Sequence, residues 1–280
     1  MKPQQKFSVS MCVYGGDDPI WFRNAVESLL SQTCLPDQIV LVVDGPVPEA
    51  LEAEIGEYEP HPLFKVLRLP ENRGHGYARR LGLNSCDHEL IAIMDADDLC
   101  SPDRFEKQLA AFAADPELSV VGSQMSEFRG TPENIIGYRQ VYLTNHEIRQ
   151  DLKKRCPLNQ VTVMLKKSDI QQVGGYMDWY CNEDYYLWVR LYLAGKRFAN
   201  VPEVLVNVRV GEDMYQRRGG WKYFASERKI QKLMRKEKII GPVTYLINVS
   251  KRFVVQVLMP NSLRSWVFKT FARKQETLEG

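Results

Sequence analysis

The chain of 280 residues has no uninterrupted apolar run long enough to cross a bilayer, so no membrane span is expected. Closely spaced cysteine pairs are missing too. Cys12, Cys34, Cys86, Cys100, Cys156 and Cys181 are scattered, which speaks against a thiolate zinc site and for reduced thiols in a reducing compartment. An apolar signal region is also lacking. Met1-Lys2-Pro3-Gln4-Gln5-Lys6 runs straight into a strand-like segment, so cytoplasmic residence is the expectation. Gly74-His75-Gly76 lacks the third glycine of a dinucleotide fingerprint and does not follow the first strand, which disfavours a nicotinamide or flavin site. With 44% hydrophobic residues, the chain can still bury a sizeable core, as one large α/β domain or a domain plus an appendage.

The most informative stretch is Glu89-Leu90-Ile91-Ala92-Ile93-Met94-Asp95-Ala96-Asp97-Asp98. An apolar run of strand length ends in three carboxylates, which reads as a buried strand delivering acids to a sheet edge. If the extended conformation continues, Asp95 and Asp97 leave on the same side. Two oxygen ligands suit a hard cation such as Mg²⁺ or Mn²⁺, completed by water and phosphate oxygens. The competing reading is helix capping. Ser101-Pro102-Asp103-Arg104 does look like a helix start, but capping there leaves the three preceding acids unexplained.

Around this stretch the chain alternates. Phe7 to Tyr14 is strand-like, and a turn at Gly15 to Pro19 leads to a helix with Phe22, Ala25, Val26, Leu29 and Leu30 on one face. Gln38 to Val43 is a second strand closed by Asp44-Gly45-Pro46, and a helix (48–58), a strand (64–69) and a helix (77–84) precede the strand at Leu90 to Met94. Strands then follow at 118–123, 161–165 and 204–209, with polar, irregular sequence after Ser126. Alternating helices and apolar strands predict a mostly parallel sheet with helices on both faces. Ligands of such sheets bind beyond the carboxyl ends of the strands, where Tyr14, Asp44, Asn72 and Asp95 fall. A glycine-permitted turn at Gly74 lets backbone amides approach a diphosphate, with Arg79 or Arg80 adding charge; a solvated helix face is the alternative for those arginines.

Glu183 and Asp184 fall on the first turn of a helix whose Leu187, Leu191 and Ala194 share spacing with Asp184. First-turn acids commonly serve the helix dipole, whereas an Asp184 facing a cleft could take a proton from a hydroxyl nucleophile. Glycines flank Arg217-Arg218, as in a mobile loop that folds over an anion, or simply an exposed basic loop. From Met214 to Lys274 there are fifteen Lys or Arg against two acids, Glu227 and Glu237, a local charge of +13 in a chain whose net charge is only +2. This basic part is suited to phosphates or a lipid surface. Ile247, Phe253, Val254, Val257, Leu258, Trp266 and Phe268 interleave with Lys251, Arg252, Arg264, Lys269, Arg273 and Lys274. That mixture suits a helix lying in a membrane surface better than one packed on the main domain, although both give such a pattern.

Asp44, Asn72-Arg73-Gly74, Ala78-Arg79, the Asp95 to Asp98 run and Glu183-Asp184, in this order over about residues 7–210, resemble glycosyltransferase family 2. Within it, Gly211 to Tyr215 and Arg217 to Gly220 are similar to bacterial exopolysaccharide or O-antigen enzymes of the amylovoran type. The resemblance implies an α/β GT-A (Rossmann-like) fold, with a catalytic domain at 1–213 (a nucleotide-sugar half to about 125, an acceptor half from 126) and a basic helical extension at 214–280. It implies an inverting transfer from a nucleotide-sugar donor, most simply UDP-linked, to a lipid-linked saccharide at the inner face of the cytoplasmic membrane, with no nucleic acid partner. Asp95 and Asp97 match the family's metal-binding acids, with Asp97 the direct ligand for Mn²⁺ or Mg²⁺. Asp44 matches the acid at the uracil ring, with Tyr14 lining the same pocket. Asn72, Gly74 and Arg79 belong to the donor side, joined by Arg217 and Arg218. Asp184 matches the catalytic base, supported by Glu183. Val43-Asp44-Gly45-Pro46 departs from the family's usual two acids and Ser, and Gly15 stands where Asn is common.

Two other functions remain open at this point. A metal-dependent nucleotidyltransferase would use similar acids but release pyrophosphate and would not need the pair at Glu183-Asp184. A non-catalytic nucleotide-sugar-binding protein would not hydrolyse donor.

Overall fold

The computed structural model describes residues 5–211 and 219–260. Its centre is a sheet of nine strands in the order β3-β2-β1-β4-β8-β6-β9-β5, with β7 paired to β6. The strands are β1 (Phe7–Tyr14), β2 (Gln38–Asp44), β3 (Phe64–Arg68), β4 (Leu90–Asp95), β5 (Leu99–Cys100), β6 (Leu118–Phe128), β7 (Ile135–Arg139), β8 (Met164–Lys166) and β9 (Arg197–Arg209). The helices are α1 (Pro19–Leu30), α2 (Glu49–Tyr58), α3 (His75–Ser85), α4 (Arg104–Ala114), α5 (Asn145–Leu152), α6 (Lys167–Gln172), α7 (Glu183–Leu193), α8 (Gly220–Lys236) and α9 (Pro242–Phe253), the last continued by a π-helical turn at Val254–Leu258.

The apolar strands are buried on both faces because their alternate residues feed two separate cores. Val9, Met11 and Val13 of β1, Ile39, Leu41 and Val43 of β2, and Leu90, Ala92 and Met94 of β4 enter one core with Phe22, Val26 and Leu29 of α1. Val40, Val42, Ile91 and Ile93 point the other way, into a core shared with Ala78, Leu83, Trp188 and Leu191. Burying each large side chain contributes roughly 1.5–3 kcal/mol, so one strand serves both layers. Asp18 starts α1 by accepting from Ile20 N (2.9 Å) and Trp21 N (3.1 Å).

Register then places the chemistry. β1 runs parallel to both β2 and β4, with Tyr14 opposite Asp44 and Cys12 opposite Asp95. Three neighbouring strands therefore end side by side, each carrying a polar residue at its carboxyl end.

The expected mostly parallel sheet is present in β3-β2-β1-β4 and in the β6–β9 pair. β8 enters antiparallel between β4 and β6, and β5 and β7 are antiparallel as well. The strand expected at 161–165 divides into a 3₁₀ turn at Gln160–Thr162 and the short β8. Past Ser126 the sequence is ordered rather than irregular. β6 continues to Phe128 with all eleven residues buried, and β7 pairs back onto it. α5 is closed by a capping box, with Thr144 accepting from Glu147 N and Glu147 from Thr144 N.

The described part of the basic segment, residues 219–260, folds back on the main body, while Arg264, Trp266, Phe268, Lys269, Arg273 and Lys274 lie outside the described residues. Ile230, Met234 and Ile240 join the core around Trp188, Asn182 Nδ2 donates to Ser226 Oγ (3.1 Å), and Asn248 Nδ2 donates to Lys153 O (2.8 Å). Among the described residues no helix is long and apolar enough to cross a membrane, and none of the six cysteines enters a disulfide.

Candidate active site

A cleft of about 480 Å³ opens at the carboxyl ends of β1, β2 and β4, and its walls include Tyr14, Asp17, Trp21, Asp44, Asn72, Gly74, His75, Asp95 and Asp97. A larger hollow of about 680 Å³ lies at the opposite ends of these strands, beside α4, with Glu106 and Lys166 as its charged groups. The acids converge on the smaller one.

The Asp44 carboxylate anchors the loop ahead of α3. It accepts from Arg73 N (2.7 Å) and Gly74 N (3.0 Å), while Asn72 Nδ2 donates to Asp44 O (3.1 Å) and Asn72 Oδ1 accepts from Gly74 N (3.1 Å). A carboxylate has about four acceptor positions, so Asp44 keeps capacity for a ligand. The approach of this loop also explains Gly45. Its φ is +87°, and a Cβ there would lie 2.5 Å from Asn72 N, so only glycine lets the two loops approach.

β4 stops at Asp95, and residues 96–97 turn. The expected continuation of the extended strand to Asp97 therefore does not occur. Both acids still line the cleft, because the turn swings Asp97 back towards it. The buried Arg79 donates through Nη2 to Asp95 Oδ1 at 2.5 Å and through Nε to His75 Nε2 at 2.6 Å. Burial works against ionised Asp95, yet the Arg79 guanidinium, with His75 and Arg104, holds its carboxyl below the usual range. Among the described residues no arginine or lysine pairs with the Asp97 side chain in this way. Burial, together with the charges of Asp95 and Asp17, pushes it up to about 7. Asp17 itself is raised to about 6, mainly by burial. Asp98, fully buried, accepts from Arg209 N at 2.9 Å, and Arg209 Nε donates to Asp97 O at 3.2 Å. Arg209 thus ties the end of β9 to the acid run and lies 4.6 Å over the Trp21 ring.

The acid pair sits on the first turn of α7, as expected. Its two members face different neighbours. Glu183 Oε1 lies 3.7 Å from His75 Nδ1, on the donor side. The Arg79 charge beside it depresses His75 to about 4 even though 54% of the side chain is exposed, so this contact joins a neutral ring to the carboxyl rather than forming an ion pair. Burial and the Asp184 charge raise Glu183 to about 7. Asp184 Oδ1 accepts from Tyr185 N (2.6 Å) and its Oδ2 is 3.5 Å from Cys156 Sγ. It is not part of the cleft wall; its neighbour Glu183 links the pair to the cleft through His75. Arg217 and Arg218 lie outside the described residues.

A divalent cation would find hard carboxylate oxygens on Asp97 and Asp95. Among the described residues no group of three or more His, Cys, Asp or Glu is arranged to hold a metal. Asp97 and Asp95 are two such ligands among the described residues, which fits a cation that keeps water and phosphate in its shell. Asp17, Trp21, His75 and Arg209 were not singled out from sequence. Only the four-residue spacing of His75 and Arg79 on one helix face could have flagged any of them.

The model of glycosyl transferase family 2 matches residues 8–171, and that of glycosyl transferase family group 2 matches residues 90–272. The chain belongs to glycosyl transferase family 2. An uncharacterized glycosyltransferase of Haemophilus influenzae is 41% identical, covering 96% of this chain and 100% of that protein. The amylovoran biosynthesis glycosyltransferase AmsE of Erwinia amylovora is 34% identical over 94% and 98% of the two chains. An Escherichia coli UDP-Gal:alpha-D-GlcNAc-diphosphoundecaprenol beta-1,3-galactosyltransferase is 33% identical over 96% and 97%. The structure of TarS residues 1–349 from S. aureus in complex with UDP-GlcNAc superposes with a TM-score of 0.65 at 19% identity, covering 89% of this chain and 73% of that one. The family 2 chain thus has the GT-A fold expected from its sequence.

Proposed function

We propose that this family 2 glycosyltransferase is a metal-dependent, inverting hexosyltransferase that moves a sugar from a UDP-linked donor to a saccharide carried on a lipid diphosphate. The observation that carries this reading is the convergence of Tyr14, Asp44, Asp95 and Asp97 on one cleft, with the acid-bearing turn of α7 reaching it through His75. The relatives' names support the donor and acceptor classes: one is a UDP-sugar transferase acting on a diphosphoundecaprenol-linked sugar.

Asp44 and Tyr14 would receive the nucleobase, while the loop at Asn72 to Gly74 and Arg79 border the diphosphate. Asp97, with Asp95 in support, would hold Mn²⁺ or Mg²⁺, whose bound charge neutralises the departing diphosphate. Asp184 takes the proton of the acceptor hydroxyl, with Glu183 holding its helical turn to the cleft. The new bond forms between that oxygen and the anomeric carbon as the bond to the diphosphate breaks, and UDP leaves. Arg217 and Arg218 would add charge over the leaving group.

The acceptor's lipid accounts for the outer surface of α9. Val243, Leu246, Ile247, Val254 and Leu258 are exposed there, and Trp221 of α8 is two-thirds exposed close by, 5.7 Å from the Phe253 ring. Exposed Lys251 borders this apolar face, whereas Arg252 turns inward to pair with Glu227 at 2.9 Å. It suits peripheral contact with the inner, anionic face of the cytoplasmic membrane.

The test is a screen of nucleotide sugars with Mn²⁺ or Mg²⁺ and a lipid-diphosphate-linked sugar acceptor. Release of UDP that needs both acceptor and cation is expected. Pyrophosphate release would instead mark nucleotidyl transfer, and UDP release that ignores the acceptor would refute the transfer reading.

A further inference from the structure

Four side chains form a continuous polar chain across the cleft. Asp95 at the end of β4 meets Arg79 of α3 at 2.5 Å, Arg79 meets His75 at 2.6 Å, and His75 faces Glu183 at the start of α7 at 3.7 Å. The first two belong to the donor half and the last to the acid pair. His75 is the only link in this chain that touches both.

Its ring chemistry is decided by its partner. An arginine Nε–H only donates, so His75 Nε2 must accept and carries no proton. The ring's one proton then sits on Nδ1, the nitrogen that faces Glu183 Oε1. His75 follows Gly74, whose φ of +86° turns the chain into α3, and the two Asp44 bonds fix the loop immediately ahead of it. The imidazole is therefore held from the loop, from Arg79 and from the strand behind Arg79. Its other nitrogen is aimed at α7. A 3.7 Å separation is longer than a hydrogen bond, so the Nδ1–H faces the Glu183 carboxyl without bonding to it in this conformation.

We propose that His75 is a positioning residue that sets the first turn of α7, and with it the Glu183-Asp184 pair, at a fixed distance from the Asp95–Arg79 pair. Occupancy of the diphosphate site is thereby transmitted to the acid pair. The inference rests on the transferase reading above for its kinetic consequence, but the tautomer and the spacing stand apart from it. His75 does not touch the acceptor in this scheme and is not the base.

Two measurements test the proposal. In spectra of ¹⁵N-histidine-labelled protein, with His75→Ala used for assignment, His75 should be neutral with its proton on Nδ1 at pH 7. An Nε2–H tautomer or an imidazolium would overturn the assignment, whether or not the protein transfers sugar. In kinetics with UDP-sugar and lipid-linked acceptor, His75→Ala should lower kcat roughly 10- to 100-fold, the scale of a misplacement of about 1 Å, with the donor KM little changed. His75→Gln retains an acceptor towards Arg79 and His75→Asn a donor towards Glu183, so each should restore part of kcat. Unchanged kcat in His75→Ala, or a loss confined to donor KM, would refute the positioning role. A wild-type protein that shows the Nδ1–H ring but no transfer would refute the transferase reading instead.

Discussion

Arg79 Nη2 lies 2.5 Å from Asp95 Oδ1, and this one pair joins the first turns of α3 to the end of β4 at the edge of the cleft. Arg79 is almost wholly buried, and Asp95 is largely so. The pair fixes the charge state of the acid run, because a guanidinium that cannot be deprotonated keeps Asp95 ionised. It also separates the roles of two acids that look equivalent in sequence. Asp95 is committed to Arg79, and Asp97 is left to seek another cation.

Removing one member should therefore be costly. Arg79→Met leaves Asp95 buried without its partner, and a loss of about 3–5 kcal/mol in urea unfolding at pH 7 is expected. Adding Asp95→Asn should restore part of that loss. Equal stability of Arg79→Met and wild type would mean that the pair does not hold this junction.

Binding and chemistry should separate between Asp97 and Asp184. In Asp97→Ala, calorimetric titration should show Mn²⁺-assisted UDP binding weakened roughly tenfold or more, since a direct ligand is gone. In Asp184→Asn, UDP and Mn²⁺ should bind as in wild type while kcat falls by about 10²–10⁴-fold, the usual scale of a lost general base. Full turnover by Asp184→Asn would move the base elsewhere, and Glu183, which stands nearer the cleft, would be the group to replace next.

Glu183 supplies a pH signature of stability. Burial and the Asp184 charge raise its carboxyl from 4.5 to about 7 in the fold. The folded state then binds the proton more tightly than the unfolded chain does. Its contribution is fully present below about 4.5 and is lost as pH rises through about 7. Glu183→Gln should match wild type near pH 4 and exceed it at pH 8, by on the order of 1–3 kcal/mol. A difference that does not change with pH would contradict this environment for Glu183.

The exposed face of α9 gives a prediction independent of catalysis. Replacing Leu246 and Leu258 with Glu should leave the thermal midpoint within a few degrees, because both side chains are 62% exposed. The same change should abolish cosedimentation with anionic vesicles, since it removes apolar contact and reverses local charge. Vesicle binding equal to wild type would exclude this face as the membrane contact.

Continuous apolar strands alternating with helical patterns were enough to derive the α/β class, because burial on both faces makes nearly every residue of a strand apolar. The strand ends at Tyr14, Asp44 and Asp95 were legible for the same reason: polar residues break off apolar runs where the sheet stops. The order of acidic and basic motifs along the chain also carried the family. Other features needed the coordinates. β8 inserts antiparallel beside β4 through pairing at a sequence distance of about seventy residues, which no local pattern records. Asp97 reaches the cleft by a turn rather than along the strand. His75, Asp17 and Arg209 matter only through what they face, and α8 and α9 dock on the main core through Ile230, Met234 and Asn248. The sequence alone determined which residues are apolar, which are charged and in what order they come. The tertiary structure decided which of those charges meet, because proximity across a sheet depends on register and on chain crossings, and neither is written in the spacing of neighbouring residues.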